Sequence, residues 1–290
     1  MVELVAGLID VFADVALSGN PLAVVEGADA LSDADMRKIA GEFNQAETTF
    51  LMKSMRADWK LRSFTASGAE VFGAGHNALG AWLWLGECGE LGALEIARTF
   101  TQEIGKDVLP ITLERVGGRV HGRMRQAPLH LSPPLANLAP LAAALGLDES
   151  DVLTSPAPRA ADTGAAHLMV RVRDAQTVDR AKPAAEKLLA VLGPAGAEGC
   201  YIYAFDPEAP DTAYARFFNP TVGLWEDAAT GTAAGPLAAY LGAEGLLKDN
   251  TLAIEQGVKM GRRSILNLRL TPDPELSGAG VVVMRGVLRL

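Results

Sequence analysis

Two stretches of twelve residues carry an apolar helix face between flanking glycines. Residues 75–86 read GHNALGAWLWLG, and residues 231–242 read GTAAGPLAAYLG. Around them the pattern is mostly that of strands. Residues 3–12 and 21–25 read as strands joined by a loop that ends in the turn Ser18-Gly19-Asn20-Pro21. Ser32 caps a helix, LSDADMRKIAGEF, with acids in its first turn. Strands follow at 48–53 and 59–65, then the first glycine loop and its helix, then β pattern from Leu91 to Met124 with a hairpin turn at Gly117-Gly118. Near Pro128 the texture changes. LSPPLANLAPLAAALGLDES reads as a linker and a short helix, TSPAPRAADTG as a loop, HLMVRV as a strand, and 175–191 as one helix. GCYIYAF and TAYARFF form a strand pair across Asp206-Pro207, and the glycine-rich pattern then returns.

That return points to an internal duplication. Each glycine loop follows a strand with a similar close, LRSF at 61–64 and ARFF at 215–218. Phe64 lies 11 residues before Gly75, and Phe218 lies 13 before Gly231. The plainer reading is two unrelated helices rich in small residues. If the halves are duplicates that face one another, both helix starts aim at one cleft. The first N–H groups of a helix have no intrahelical partner, and with the helix dipole they favour an anion. A small carboxylate would then be held without lysine or arginine. His76 and Thr232 occupy the first turns of the two helices.

Composition narrows the partners. The 290 residues suit two domains, and 49% hydrophobic with 21% charged residues is a globular balance. A net charge of −9 argues against nucleic acid. No apolar run approaches the ~20 residues of a membrane helix, and the N-terminus lacks a basic segment before an apolar one. Cys88 and Cys200 make neither a disulfide framework nor metal spacing. The expectation is a cytoplasmic protein that uses no metal.

Candidate chemistry collects at the glycine loops. Glu47 stands at the mouth of the strand ETTFL, His76 at the first helix start, and Asp227 four residues before Gly231. Two carboxylates and an imidazole beside an anion cleft suit proton transfer at a carbon next to a carboxylate. No activated serine or cysteine and no GxxxxGK loop stands out. His121, His130 and His167 are distant in sequence from both loops, and His167 reads as structural.

Six ordered blocks resemble the PhzF-like phenazine-biosynthesis family: DVFADVALSGNPLAVV at 10–25, EFNQAETTFL at 42–51, GAGHNALG at 73–80, TGAAHLMV at 163–170, EDAATGTAAGPLAAYL at 226–241 and QGVKMGRRS at 256–264. The resemblance implies an α+β, diaminopimelate-epimerase-like fold. Its two pseudo-repeated halves would each wrap a β-barrel-like sheet around a central helix, residues 1–127 completed by 281–290, and residues 128–280. It implies a homodimer, no cofactor, and an isomerase acting on a small carboxylate such as trans-2,3-dihydro-3-hydroxyanthranilate. By resemblance, Glu47 is the acid–base residue and His76 and Asp227 its catalytic neighbours. Gly75, Gly231 and Thr232 would hold the substrate carboxylate, and Asn77 would lie at the substrate.

The chain departs from the family's usual residues at Ala46, where serine is common, and at Asn77, Ala228 and Arg263. These departures argue for a different substrate. The epimerase branch of the fold places thiols at the two loops, where this chain has Ala74 and Thr230. Two-thiol racemisation is therefore disfavoured, and Cys88 and Cys200 read as buried structural residues. An epimerase or racemase of another carboxylate, using Glu47 with a non-thiol partner, stays open. So does a non-catalytic anion-binding protein.

Overall fold

The computed structural model describes residues 2–222 and 224–290. The chain divides into two compact units, Met1–Arg125 with Ser277–Leu290, and Gln126–Leu276.

In the first unit, β1 (Glu3–Val11) pairs antiparallel with β2 (Asn20–Val25). Helix α1 (Asp33–Phe43) starts where the Ser32 hydroxyl accepts the Asp35 N–H at 3.2 Å, and it ends on Asn44 in the left-handed region. β3 (Glu47–Met52) then runs parallel to β2, β4 (Trp59–Phe64) antiparallel to β3, and the short β5 (Glu70–Val71) flanks β4. Helix α2 (His76–Glu87) follows. β6 (Arg98–Ile104) lies parallel to β4, and β7 (Asp107–Val116) and β8 (Arg119–Arg125) continue as an antiparallel meander. Gly117 and Gly118 both have positive φ, which a tight hairpin between β7 and β8 requires. The C-terminal strand Pro274–Arg289 pairs with β8 and with β1 and so closes an eight-stranded barrel.

Helix α2 fills this barrel. His76 through Gly86 are all buried, as expected of a helix apolar on every side. Trp82 and Trp84 have no exposed surface, yet both indole N–H groups are satisfied, by Gln102 Oε1 at 3.0 Å and Glu26 Oε1 at 2.7 Å. Close approach depends on glycine. A Cβ at Gly80 would lie 2.6 Å from a Val11 methyl and 2.7 Å from a Leu22 methyl. At Gly7 on the barrel wall it would meet the Met284 carbonyl oxygen at 2.0 Å and the Trp84 ring at 2.4 Å.

The second unit contains β9 (His130–Leu131), α3 (Ala139–Leu145), β10 (Arg159–Asp162), β11 (Ala166–Arg171), α4 (Ala175–Arg180) and α5 (Ala185–Ala195). It continues through β12 (Gly199–Phe205), β13 (Thr212–Asn219), β14 (Leu224–Asp227), α6 (Gly231–Ala243), β15 (Thr251–Gln256) and β16 (Ser264–Leu270). Helix α6 is again almost wholly buried. Both units follow one order of pairings. A parallel step (β2–β3; β11–β12) precedes two antiparallel ones (β3–β4–β5; β12–β13–β14). The buried helix comes next, then a second parallel step (β4–β6; β13–β15) and an antiparallel one (β6–β7; β15–β16).

Three local expectations are corrected. The segment 91–97 is not strand, and pairing begins at Arg98 after turns in which Gly89 and Gly92 take positive φ. The helix expected over 175–191 is two helices, because Pro183 cannot continue the first and biases the residue before it away from helical geometry. The second then runs on to Ala195. Within TSPAPRAADTG, residues Arg159–Asp162 form β10 between β9 and β11. Two alanines give little strand signal, and tertiary pairing overrides the propensity.

Gly80→Ala is expected to cost about 1–3 kcal/mol through overpacking. Gly286→Ala is the control: Gly286 is exposed on the C-terminal strand, with no atom near the added Cβ and no positive φ, and the change should stabilise by about 0.4–1 kcal/mol. Thermal melts of both variants check this, and equal midpoints would contradict the packing account.

Candidate active site

Each buried helix leaves backbone polar groups unpaired only at its ends, and the chemistry-bearing residues lie at the two starts. In the first unit, Glu47 is the first residue of β3, so strand alternation puts Thr49 on the same face. His76 is the first residue of α2. Its Nδ1 lies 3.6 Å from Glu47 Oε2, with the Glu47 side chain 18% and the His76 side chain 9% exposed. Burial lowers the His76 pKa from 6.5 to about 4. A neighbouring carboxylate would favour imidazolium, but desolvation is the larger effect. At neutral pH the imidazole beside Glu47 is therefore neutral. Among the described residues, His76 Nε2 is buried with no hydrogen-bond partner.

The loop before α2 is held by Asn77. Its Nδ2 donates to the Gly73 carbonyl oxygen at 3.0 Å and to Ser63 Oγ at 3.1 Å, while its Oδ1 accepts the Gly75 N–H at 2.8 Å. Ser63 in turn shares a 2.8 Å hydrogen bond with Thr49. The Asn77 amide and the Gly75 N–H are committed inside the loop, because a short amide side chain competes locally for backbone groups. The first helical bond runs from Leu79 N to the Gly75 carbonyl oxygen. The amides of His76, Asn77 and Ala78 thus precede the helical ladder.

In the second unit, Asp227 ends β14, Thr230 caps α6, and Gly231 and Thr232 begin the helix. Thr230 Oγ1 donates to Asp227 Oδ2 at 2.6 Å. The Gly231 carbonyl oxygen accepts from Gln126 Nε2 at 2.8 Å. Ala233 and Ala234 N–H both donate to the Thr230 carbonyl oxygen, so the amides of Gly231 and Thr232 precede the ladder.

Two residues here escaped the sequence reading. His167, distant in sequence from both loops, lies with Nε2 3.2 Å from Thr232 Oγ1 and its ring edge-on to Phe217. It is buried, and desolvation lowers its pKa from 6.5 to about 4. Parallel pairing of β11 with β12 brings it to the helix start, a contact that no sequence spacing reveals. Gln256, at the end of β15, bonds to both Asp227 and Thr230. The only signal for either was membership of the blocks TGAAHLMV and QGVKMGRRS.

The thiols stand elsewhere. Cys88 caps the far end of α2 and is half-buried, less enclosed than expected. Cys200 is buried in β12, and desolvation pushes its pKa up to about 12. Among the described residues no group of three or more His, Cys, Asp or Glu side chains is arranged to hold a metal. Likewise, no helix among them is long and apolar enough to cross a membrane.

The fold, a closed barrel around a buried helix, agrees with comparison to known proteins. The phenazine biosynthesis-like protein family, PhzC-PhzF, matches residues 9–286. A trans-2,3-dihydro-3-hydroxyanthranilate isomerase of Pseudomonas fluorescens is 32% identical over 296 residues, covering 98% of each chain. The uncharacterized isomerase YddE of Salmonella typhimurium is 31% identical over 287 residues, covering 95% of each. A phenazine biosynthesis protein of the PhzF family from Bacillus anthracis has a solved structure that superposes with a TM-score of 0.88, at 26% identity and 100% coverage of both chains. The chain belongs to the phenazine biosynthesis-like family, as its six sequence blocks imply. Within that family it is an isomerase.

The two buried histidines set a pH dependence of stability. Above pH 6.5 both folded and unfolded chains hold them neutral. Between 6.5 and about 4 the unfolded chain binds protons that the folded chain does not. Stability therefore falls as pH falls through that window, by roughly 1.4 kcal/mol per pH unit per histidine. Urea midpoints should drop from pH 7 to pH 5, and His167→Gln should flatten the decline. A midpoint that holds steady or rises toward pH 5 would contradict the buried neutral state.

Proposed function

We propose that this protein is a cofactor-independent, PhzF-like isomerase that moves a proton between carbons of a small cyclic or unsaturated carboxylate, with Glu47 as the acid–base residue. The observation that carries the reading is the partly exposed Glu47 carboxylate 3.6 Å from a buried, neutral imidazole at a helix start. Neutral His76 puts no positive charge beside Glu47, whereas an imidazolium there would stabilise the ionised carboxylate and make it a weaker base. Glu47 takes a proton from one carbon, the electron pair shifts through the adjacent double bond, and the same proton returns at the new carbanionic carbon.

In this reading the substrate is a small carboxylate. Its carboxylate is held by the start of α6, through the amides of Gly231 and Thr232 and the Thr232 hydroxyl, and Asp227 contacts it from the same side. The shared order of pairings in the two units supports an internal duplication. The similarity to a relative named for isomerising trans-2,3-dihydro-3-hydroxyanthranilate supports the reaction. By the same family likeness the enzyme works as a cytoplasmic homodimer. Ala46 and Asn77, where the family usually has other residues, argue for a different natural substrate.

The test is NMR of trans-2,3-dihydro-3-hydroxyanthranilate with purified protein in D₂O, wild type beside Glu47→Gln. Wild type should convert it, and the variant should be slower by about 10²–10⁴. Equal turnover by both proteins would remove Glu47 from the chemistry. Inversion of configuration with no double-bond shift would make the protein an epimerase instead.

A further inference from the structure

The hydrogen bonds behind Asp227 can be given directions one by one. Gln256 touches four groups: its Oε1 lies 2.8 Å from the Tyr201 hydroxyl and 3.2 Å from the Thr230 N–H, and its Nε2 lies 2.8 Å from the Asp227 carbonyl oxygen and 3.1 Å from Thr230 Oγ1. Two of these are backbone groups with no choice of role. The Thr230 N–H can only donate and the Asp227 carbonyl can only accept. Turning the amide over would set an NH₂ against an N–H and a carbonyl against a carbonyl. Its orientation is therefore dictated by the backbone and not only by side-chain fit.

The rest follows from counting protons. Tyr201 must donate to Oε1, which only accepts. Burial, together with the charge of Asp227, holds the Tyr201 hydroxyl well above the usual phenol range, so it stays a donor at any working pH. Gln256 Nε2–H donates to Thr230 Oγ1. A threonine hydroxyl has one proton, and the other contact of Thr230 Oγ1 is Asp227 Oδ2 at 2.6 Å. That proton therefore points at Asp227. Gln256 and Tyr201 are fully buried, and Thr230 and Asp227 are each 7% exposed, so water has little opportunity to reverse the chain.

We propose that Gln256 is a positioning residue that fixes this polarity, so that Asp227 Oδ2 is a permanent hydrogen-bond acceptor and Asp227 meets the substrate as a carboxylate. The inference rests on the reading of Asp227 as a residue that contacts the substrate. It divides the labour of the site. Asp227 serves as a proton acceptor or charge partner, and any proton it gains is confined to Oδ1. Proton donation falls to Glu47 in its protonated form. Hydrogen bonds to the charged form of a carboxylate stabilise that form, and a hydroxyl donor at 2.6 Å is a strong one.

Two measurements test this. Neutron diffraction from deuterated crystals of the whole protein reads the polarity whether or not any substrate turns over. The expected map has the Thr230 deuteron on the line to Asp227 Oδ2. A deuteron on Asp227 Oδ2 directed at Thr230 Oγ1 would overturn the proposal. The second measurement is steady-state kinetics on trans-2,3-dihydro-3-hydroxyanthranilate with Gln256→Met, Thr230→Val and Thr230→Ser.

Gln256→Met and Thr230→Val should each lower kcat by about 10–100-fold with KM changed less than about twofold, the signature of an interaction made in the transition state. Combined, they should cost little more than either alone. Thr230→Ser, which keeps the hydroxyl, should retain most of the activity. A raised KM at unchanged kcat, or a Thr230→Ser variant as poor as Thr230→Val, would assign these residues a structural part only. If wild type fails to turn the compound over, the Glu47 isomerase reading loses this substrate, while the neutron map still decides the polarity at Asp227.

Discussion

The constraint on which the first unit depends is a helix buried on every side. Eleven of the twelve residues of α2 lie inside a closed barrel, and two tryptophans among them have no exposed surface. Such a helix satisfies its own backbone along its length but not at its start, where the first amides have no partner within it. The unpaired backbone groups of α2 are therefore concentrated by necessity at its ends. Asn77, Ser63 and Thr49 satisfy one another there and hold the loop. Glu47 and His76 are brought to the same end by a strand and a helix that both begin there. The second buried helix, α6, meets the same requirement with Thr230, Gln256, Asp227 and His167.

Burial also decides the charge states. At both helix starts a histidine is enclosed deeply enough that desolvation outweighs neighbouring charge, and both imidazoles are neutral at physiological pH. A cationic histidine at a helix start would also oppose the dipole. Neutral rings leave that electrostatic role to backbone amides and hydroxyls. Thiol chemistry is absent from both starts. One cysteine caps the opposite end of α2, and the other is locked in a strand with its pKa pushed up to about 12.

Much of the architecture was legible because it is written in local pattern. The two glycine-entered apolar helices, the Ser32 cap and the Gly117-Gly118 hairpin all follow from short-range chemistry, which acts between residues near in sequence. Where the reading failed, a non-local partner or a single proline decided the outcome. Arg159–Asp162 became a strand through its neighbours, and Pro183 divided a helix whose apolar spacing looked continuous. At the candidate site, His76 and Asp227 stand out by position relative to the glycine loops, and Glu47 by its place at the mouth of a strand and by the family resemblance. Asn77, which the resemblance places at the substrate, has its side-chain amide bonded within the loop.

The sequence by itself determined the family, the isomerase class and the residues flanking each helix start, since these are carried by ordered blocks and by the composition of the loops. Only the tertiary structure decided the protonation states and the directions of the hydrogen bonds. His167 reaches Thr232 across 65 positions, and Gln256 reaches Thr230 across 26. Such contacts arise from strand pairing, which sequence spacing does not encode. The depressed histidine pKa values follow from desolvation, which exists only once the chain has enclosed the rings.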